Sequence, residues 1–355
     1  MRHNNILKIN KSFVQCIIIT ITFFLMLLTG YSSINAAEMP FTVNTVIPDN
    51  QIDKSKTFFN LKVVPNQQQR ITVKLNNTTS KEITVNVGVN STKTNSNGVV
   101  EYGKTTIKND KSLKYPITEL VKHPSSVRIP ANSTTEVPFD VTMPKEKYSG
   151  IILGGIVFQQ KESEAENSAS SKGTSVQNHY AYAVALSLKE TDDRVAPNLN
   201  LLTVKPAQNN ARNVINVGIQ NDQSILLSKV KVDAKIYAKG GKSPVYSSLT
   251  NEMQMAPNSN FLYPVALKGT EMKPGSYTLK LAVTGTAYDK PKTWHFTRNF
   301  KIKSTEAKTL NQSDVDLKAN TNNNNWIYIF IGVLLFLVII LLIVVLIRQN
   351  KKSKS

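Results

Sequence analysis

The sequence predicts an all-β protein, with two tandem immunoglobulin-like β-sandwiches, a signal peptide and one C-terminal transmembrane helix. Three observations carry this reading. Apolar and polar residues alternate with a period of two over many short runs, the mark of strands with one buried face. Clusters rich in Asn, Ser, Thr and Pro separate those runs as turns. The order of these turns in the first half of the chain recurs in the second, while the terminal segments are continuously apolar.

Residues 1–37 read as a signal peptide. Arg2, Lys8 and Lys11 form a basic start, Phe13–Leu28 an apolar stretch, and Asn35-Ala36-Ala37 a small-residue cleavage site. A retained N-terminal anchor is the rival reading. Cys16 lies early in the apolar stretch and is the sole cysteine, so the processed protein has no disulfide and no cysteine metal site.

Strand patterns follow. Ile71, Val73 and Leu75 alternate with Thr72, Lys74 and Asn76, and Ile83, Val85, Val87 and Val89 do the same. Val137, Phe139, Val141 and Met143 repeat the pattern, as do Tyr180, Tyr182, Val184, Leu186 and Leu188. Ile151–Phe158 is almost wholly apolar and carries Gly154 and Gly155, which suits a strand buried on both faces or kinked at its glycines. The repeat is clearest where Ile129-Pro130-Ala131-Asn132-Ser133 leads to Val137-Pro138-Phe139. Its echo, Met255-Ala256-Pro257-Asn258-Ser259, leads to Tyr263-Pro264-Val265. Tyr148 and Tyr277 each precede a late strand, as the tyrosine of an immunoglobulin-type corner does. Trp294, Phe296 and Phe300 form a core face or, less simply, a sugar-stacking platform. Met253 and Met255 share one strand face, as core filling or an adaptable surface.

The first domain is expected over 39–162 and the second over 172–303. The polar stretch Lys161–Gln177 lies between them as a loop or linker. Strand 180–188 is assignable to either: pairing back on Ile151–Phe158 would let it complete the first sandwich. Residues 304–325 read as a polar tether without apolar period. Residues 326–347 are long and apolar enough to span a ~30 Å hydrocarbon core, with Trp326 and Tyr328 at the interface. The basic tail 348–355 is then expected in the cytoplasm, and everything upstream outside the cell membrane as a single-pass type I protein.

The formal charge is +19, and outside the terminal segments 36 basic residues still face 24 acidic ones. That excess suits an anionic wall polymer. Nucleic acid is excluded as a partner by the expected location. No catalytic, cofactor-binding or metal-ligating residue emerges: His123, His179 and His295 stand at no ligand spacing, and there is no Gly-rich phosphate loop or nucleophile motif. A non-enzyme without cofactors is therefore expected, with its partner-binding residues left open.

Several longer stretches resemble a family. Phe41-Thr42-Val43, Pro48-Asp49-Asn50-Gln51-Ile52-Asp53, Leu113-Lys114-Tyr115-Pro116 and Met143 through Ile156 are similar to the peptidoglycan-binding domain of WxL-interacting proteins, surface proteins of Gram-positive bacteria. Leu188-Lys189-Glu190-Thr191-Asp192, Ser228 through Lys235, Asn251 through Phe261, Lys273-Pro274-Gly275-Ser276-Tyr277 and Trp294-His295-Phe296-Thr297 are similar to that family's host-binding domain. The resemblance implies a surface adaptor that holds peptidoglycan through its first domain. Through its second it would hold a WxL-domain surface protein or a host extracellular matrix protein. An assembly chaperone working by strand donation and a wall hydrolase are the alternatives.

Overall fold

The computed structural model describes residues 40–161, 181–317, 330–337 and 339–340. The expected signal peptide, the basic tail, most of the Lys161–Gln177 linker and most of the expected span lie outside these. Residues 330–337 and 339–340 are helical, and no helix among the described residues is long and apolar enough to cross a membrane.

The first β body stacks two sheets. One runs β1 (Phe41–Val46), β3 (Gln68–Asn77), β9 (Thr134–Thr142) and β7 (Val121–Lys122). The other runs β2 (Phe59–Lys62), β11 (Ala181–Lys189), β10 (Ile151–Gln160), β4 (Ile83–Ser91) and β8 (Ser126–Ile129). Period-two alternation turns Val73, Leu75, Val85, Phe139, Ile156, Phe158, Leu186 and Leu188 into one buried core between them. β11 belongs to this body. It pairs antiparallel with β10 along its length, Ile156 opposite Val184, and β2 adds to it in parallel from Leu186 to Lys189.

β10 is nearly all apolar because it is central and covered on both faces. Its glycines make room rather than kinks. A Cβ on Gly154 would stand 2.4 Å from the Ile117 side chain of helix α1 (Ile117–Leu120), and one on Gly155 would stand 2.4 Å from the Tyr102 carbonyl oxygen. Gly154→Ala is expected to cost about 2 kcal/mol through overpacking. Thermal and urea unfolding would read this, and a melting temperature equal to wild type would refute it.

The second body stacks β12 (Leu199–Asn209), β13 (Arg212–Asn221) and β16 (Ser259–Ala266) on β15 (Tyr246–Met255), β14 (Leu227–Ala238), β17 (Gly275–Ala287) and β18 (Lys290–Ile302). Its core holds Met253, Met255 and Trp294, with Phe296 and Phe300 packed against it, so the core reading of these residues is the one observed.

The stretch after Lys303 departs from the expected tether. Ser304–Ser313 forms helix α2, which buries Ala307 and packs Leu310 on the second core. Side chains bind it at both ends of its contact: Gln208 donates to the Leu310 carbonyl at 2.8 Å, and the Asn213 N–H donates to the Asp314 carboxylate at 2.8 Å. Two apolar contacts three residues apart make too short a period to stand out in a polar sequence, and long-range hydrogen bonds leave no sequence pattern.

The turn repeat is real in three dimensions. Asn132 and Asn258 both take left-handed backbone, at φ 50° and 47°. Ahead of each lies a buried Asn at a strand end, Asn77 on β3 and Asn221 on β13, whose side-chain amide donates to carbonyls of the same turn. The two tyrosine corners, by contrast, have diverged. Tyr277 donates its hydroxyl to the Lys273 carbonyl four residues back, at 2.8 Å. Tyr148 donates instead to Asn258 of the second body, at 3.3 Å.

Candidate functional site

The two bodies meet through a dense polar joint. A hairpin of β5 (Lys93–Thr94) and β6 (Val100–Glu101), with the loop that follows, reaches from the first body onto the β15–β16 corner. The Thr94 hydroxyl accepts from the Ala256 N–H at 2.9 Å and bonds the Ser259 hydroxyl at 2.7 Å. The Gly98 carbonyl accepts from the Gln254 N–H at 2.7 Å, and Asn258 donates to the Ser112 carbonyl at 3.0 Å. Asp110 is the centre of this joint. Its carboxylate accepts from the Ser112 N–H and hydroxyl, from Gln220 at 2.8 Å and from Asn260. Burial pushes its pKa up, but these hydrogen bonds outweigh that and hold it below the usual carboxylate range. Lys93, buried in the same arm, is pushed down by burial and donates to Asn109.

Beside the joint lies the candidate site, a cleft of about 890 Å³ wrapped round the edge of β11. Val43, Tyr182 and Val184 line its inner side, and Ile151, Leu153, Tyr102 and Leu226 its outer side. Residues 54–58 close the far wall. That segment is held away from β11 by its own bonds. The Asp53 carboxylate accepts from Ser55 N–H and hydroxyl at 3.0 and 2.7 Å, and Gln51, 5% exposed, donates to the Phe58 carbonyl at 2.8 Å. Thr45 on β1 donates to the Thr57 carbonyl at 2.9 Å.

Among the described residues, Lys54 and Lys56 are the charged side chains lining the cleft, with the Asp53 carboxylate 3.8 Å from Lys56 just outside it. Tyr102 also lines the cleft, and burial raises its hydroxyl's pKa. This lining suits an occupant with apolar or small groups on one side and negative charge on the other. It contains no nucleophile–base pair. The sequence named no partner-binding residue. The cleft could not be found there, because its walls come from β1, the 54–58 segment, β10, β11 and the second body.

Comparison with known proteins gives two matched segments. Residues 41–160 match the family model described as "WxL Interacting Protein, peptidoglycan binding domain", and residues 171–312 match "WxL Interacting Protein, host binding domain". No curated protein matches. Among solved structures, the YadV chaperone is 10% identical, with 74% of this chain and 100% of that one covered at a TM-score of 0.31. A CsuC–CsuE chaperone–tip adhesion subunit complex from Acinetobacter baumannii is 11% identical, with 66% and 93% covered at 0.32. These likenesses are distant, and nothing about function follows from them. The matched segments also cross the physical boundary, since β11 falls in the second match yet folds into the first body.

Proposed function

This chain belongs to the WxL interacting proteins, whose peptidoglycan and host binding domains it matches in order, and on that premise we propose a non-enzymatic cell-surface adaptor. The first sandwich holds peptidoglycan in the cleft at β11. The second holds a WxL-domain surface protein or a host matrix protein. Both sandwiches are of immunoglobulin-like type, a signal peptide is removed, and residues 326–347 anchor the chain in the cell membrane with 348–355 inside. The domain limits proposed are 39–162 with strand 180–188 added to it, and the remainder to 303 for the second.

One observation supports the wall-binding half above the others. Most of the described cleft lining, Lys54 and Lys56 included, lies in the segment matched to peptidoglycan binding, while its β11 wall lies in the second match. Its test is sedimentation of the purified full chain with cell-wall sacculi. Co-sedimentation weakened by salt is expected, and a chain that stays in the supernatant at low salt would remove the proposal. For the second half, a WxL-domain protein should be retained on the immobilised chain, and no retention at any salt counts against it.

A fragment ending at Gln160 should fold and bind far worse than one ending at Glu190. It lacks Leu186 and Leu188, which are 0% and 1% exposed, each contributing about 2 kcal/mol of burial. Equal far-ultraviolet dichroism and equal melting of the two fragments would contradict this.

A further inference from the structure

We infer that the open edge of β11 takes the stem peptide of peptidoglycan as an added strand. The inference rests on the wall-binding reading above and names which part of the polymer is recognised.

The edge is open by construction. The Lys189 carbonyl accepts from the Val63 N–H at 3.0 Å, on the β2 side of the strand. With a period of two, the N–H and C=O groups of Ala185, Ala183 and Ala181 turn to that same side. β2 stops opposite Leu186, where Phe59 is its last partner, and among the described residues no further strand pairs with Ala181–Ala185 on the side away from β10. The chain that would have extended β2 is the 54–58 segment, pinned to β1 and to Gln51 instead. A protein that leaves such an edge bare beside an apolar cleft has a template for one more strand.

Three features select the occupant. The open edge spans five residues, from Ala181 to Ala185, or roughly 16 Å at ~3.3 Å per residue, and is blocked at one end by Phe59. That length suits a short peptide rather than the long strand of a folded partner. The outward side chains along it are Ala183 and Ala185, which leave room beside the backbone. Lys54 and Lys56 stand across the cleft, Lys56 within 3.8 Å of the Asp53 carboxylate and Lys54 in no ion pair among the described residues, so the occupant carries a carboxylate. A short, carboxylate-bearing peptide rich in alanine is the chemistry of a peptidoglycan stem. A bare glycan strand lacks the repeating amide ladder that the edge would pair.

The experiment titrates the full chain with three probes: a synthetic stem peptide, the same peptide with its carboxylates amidated, and glycan strands stripped of stems. Expected results are saturable binding of the first, binding about tenfold weaker for the second, and none for the third. Amide resonances of Ala183 and Ala185 should shift with the first probe, with the second only at higher concentration, and not with the third. Ala183→Pro removes one N–H from the edge and should weaken binding about tenfold. Should that variant melt early, the exposed pair Lys54→Glu with Lys56→Glu serves instead, with a similar loss expected at unchanged melting temperature.

Sacculi bound while the stem peptide stays silent, or stripped glycan bound equally well, overturns this inference and leaves the wall-binding reading standing. Failure to bind sacculi removes both. Protection of the Ala183 and Ala185 amides by a protein segment, with the stem peptide silent, overturns it in favour of a protein strand.

Discussion

Asn77→Ala lowers the stability of the first sandwich by about 3–5 kcal/mol, and Asn221→Ala does the same to the second. Asn77 is 1% exposed and Asn221 0%. The Asn77 amide nitrogen donates to the carbonyls of Lys81, Ile129 and Pro130 at 2.8, 3.0 and 2.9 Å. Its oxygen accepts from the Thr79 N–H and hydroxyl at 2.9 and 2.8 Å. Asn221 repeats this with the carbonyls of Ile225 and Ala256 and with the Gln223 N–H. Alanine strands at least two buried backbone groups in each case, and each stranded group costs about 1–3 kcal/mol. Asn77→Asp is no remedy, since a carboxylate has no proton to give three carbonyls. Urea unfolding followed by circular dichroism measures the loss. A change under about 1 kcal/mol would mean that water replaces the amide, and that the pin is not what closes the turn.

Asp110→Ala is expected to uncouple the two sandwiches, at about 2–4 kcal/mol. The side chain is 7% exposed and is the common acceptor for Gln220 and Asn260 of the second body. Removing it leaves two amide donors without their acceptor at the centre of the joint. Solution X-ray scattering should show a wider distribution of shapes, and a double-mutant cycle with Gln220→Ala should give a coupling of about 1 kcal/mol or more. Independent, additive effects of the two substitutions would sink the idea. The pH dependence has a definite sign. Because the folded carboxyl is held below its ordinary value of about 3.9, its contribution is complete above that value. It is lost as pH falls through the lower folded value. The joint therefore loosens only in strong acid and is indifferent to change around neutrality on account of this group.

Much of the architecture was legible because its cause is local. Alternation along β3, β4 and β9 needs only the period of the strand, and the Pro-Ala-Asn-Ser turns need only an Asn that tolerates left-handed backbone. The pairing of β11 with β10 was one of two readings, and the structure has it in register from Ile151–Lys189 to Gln159–Ala181. Helix α2 was missed because its stability is tertiary. Tyr148 and Tyr277 read alike, each after a proline and before a late strand, yet Tyr148 reaches Asn258 while Tyr277 closes on Lys273.

The candidate site was not legible at all. A cleft is the space between segments, and no sequence period encodes the fact that residues 54–58 turn away from β11. That turn follows from Asp53, Gln51 and Thr45, whose side chains bond residues 2, 7 and 12 positions on. The sequence by itself determined the β class, the doubled turn pattern, the basic surface and the absence of catalytic motifs, since each rests on residue type and spacing. Only the tertiary structure decided which strand closes the first sandwich, how the two bodies lock through Asp110, and where a strand edge stays open. Those depend on side-chain hydrogen bonds and strand pairings whose partners are chosen by packing.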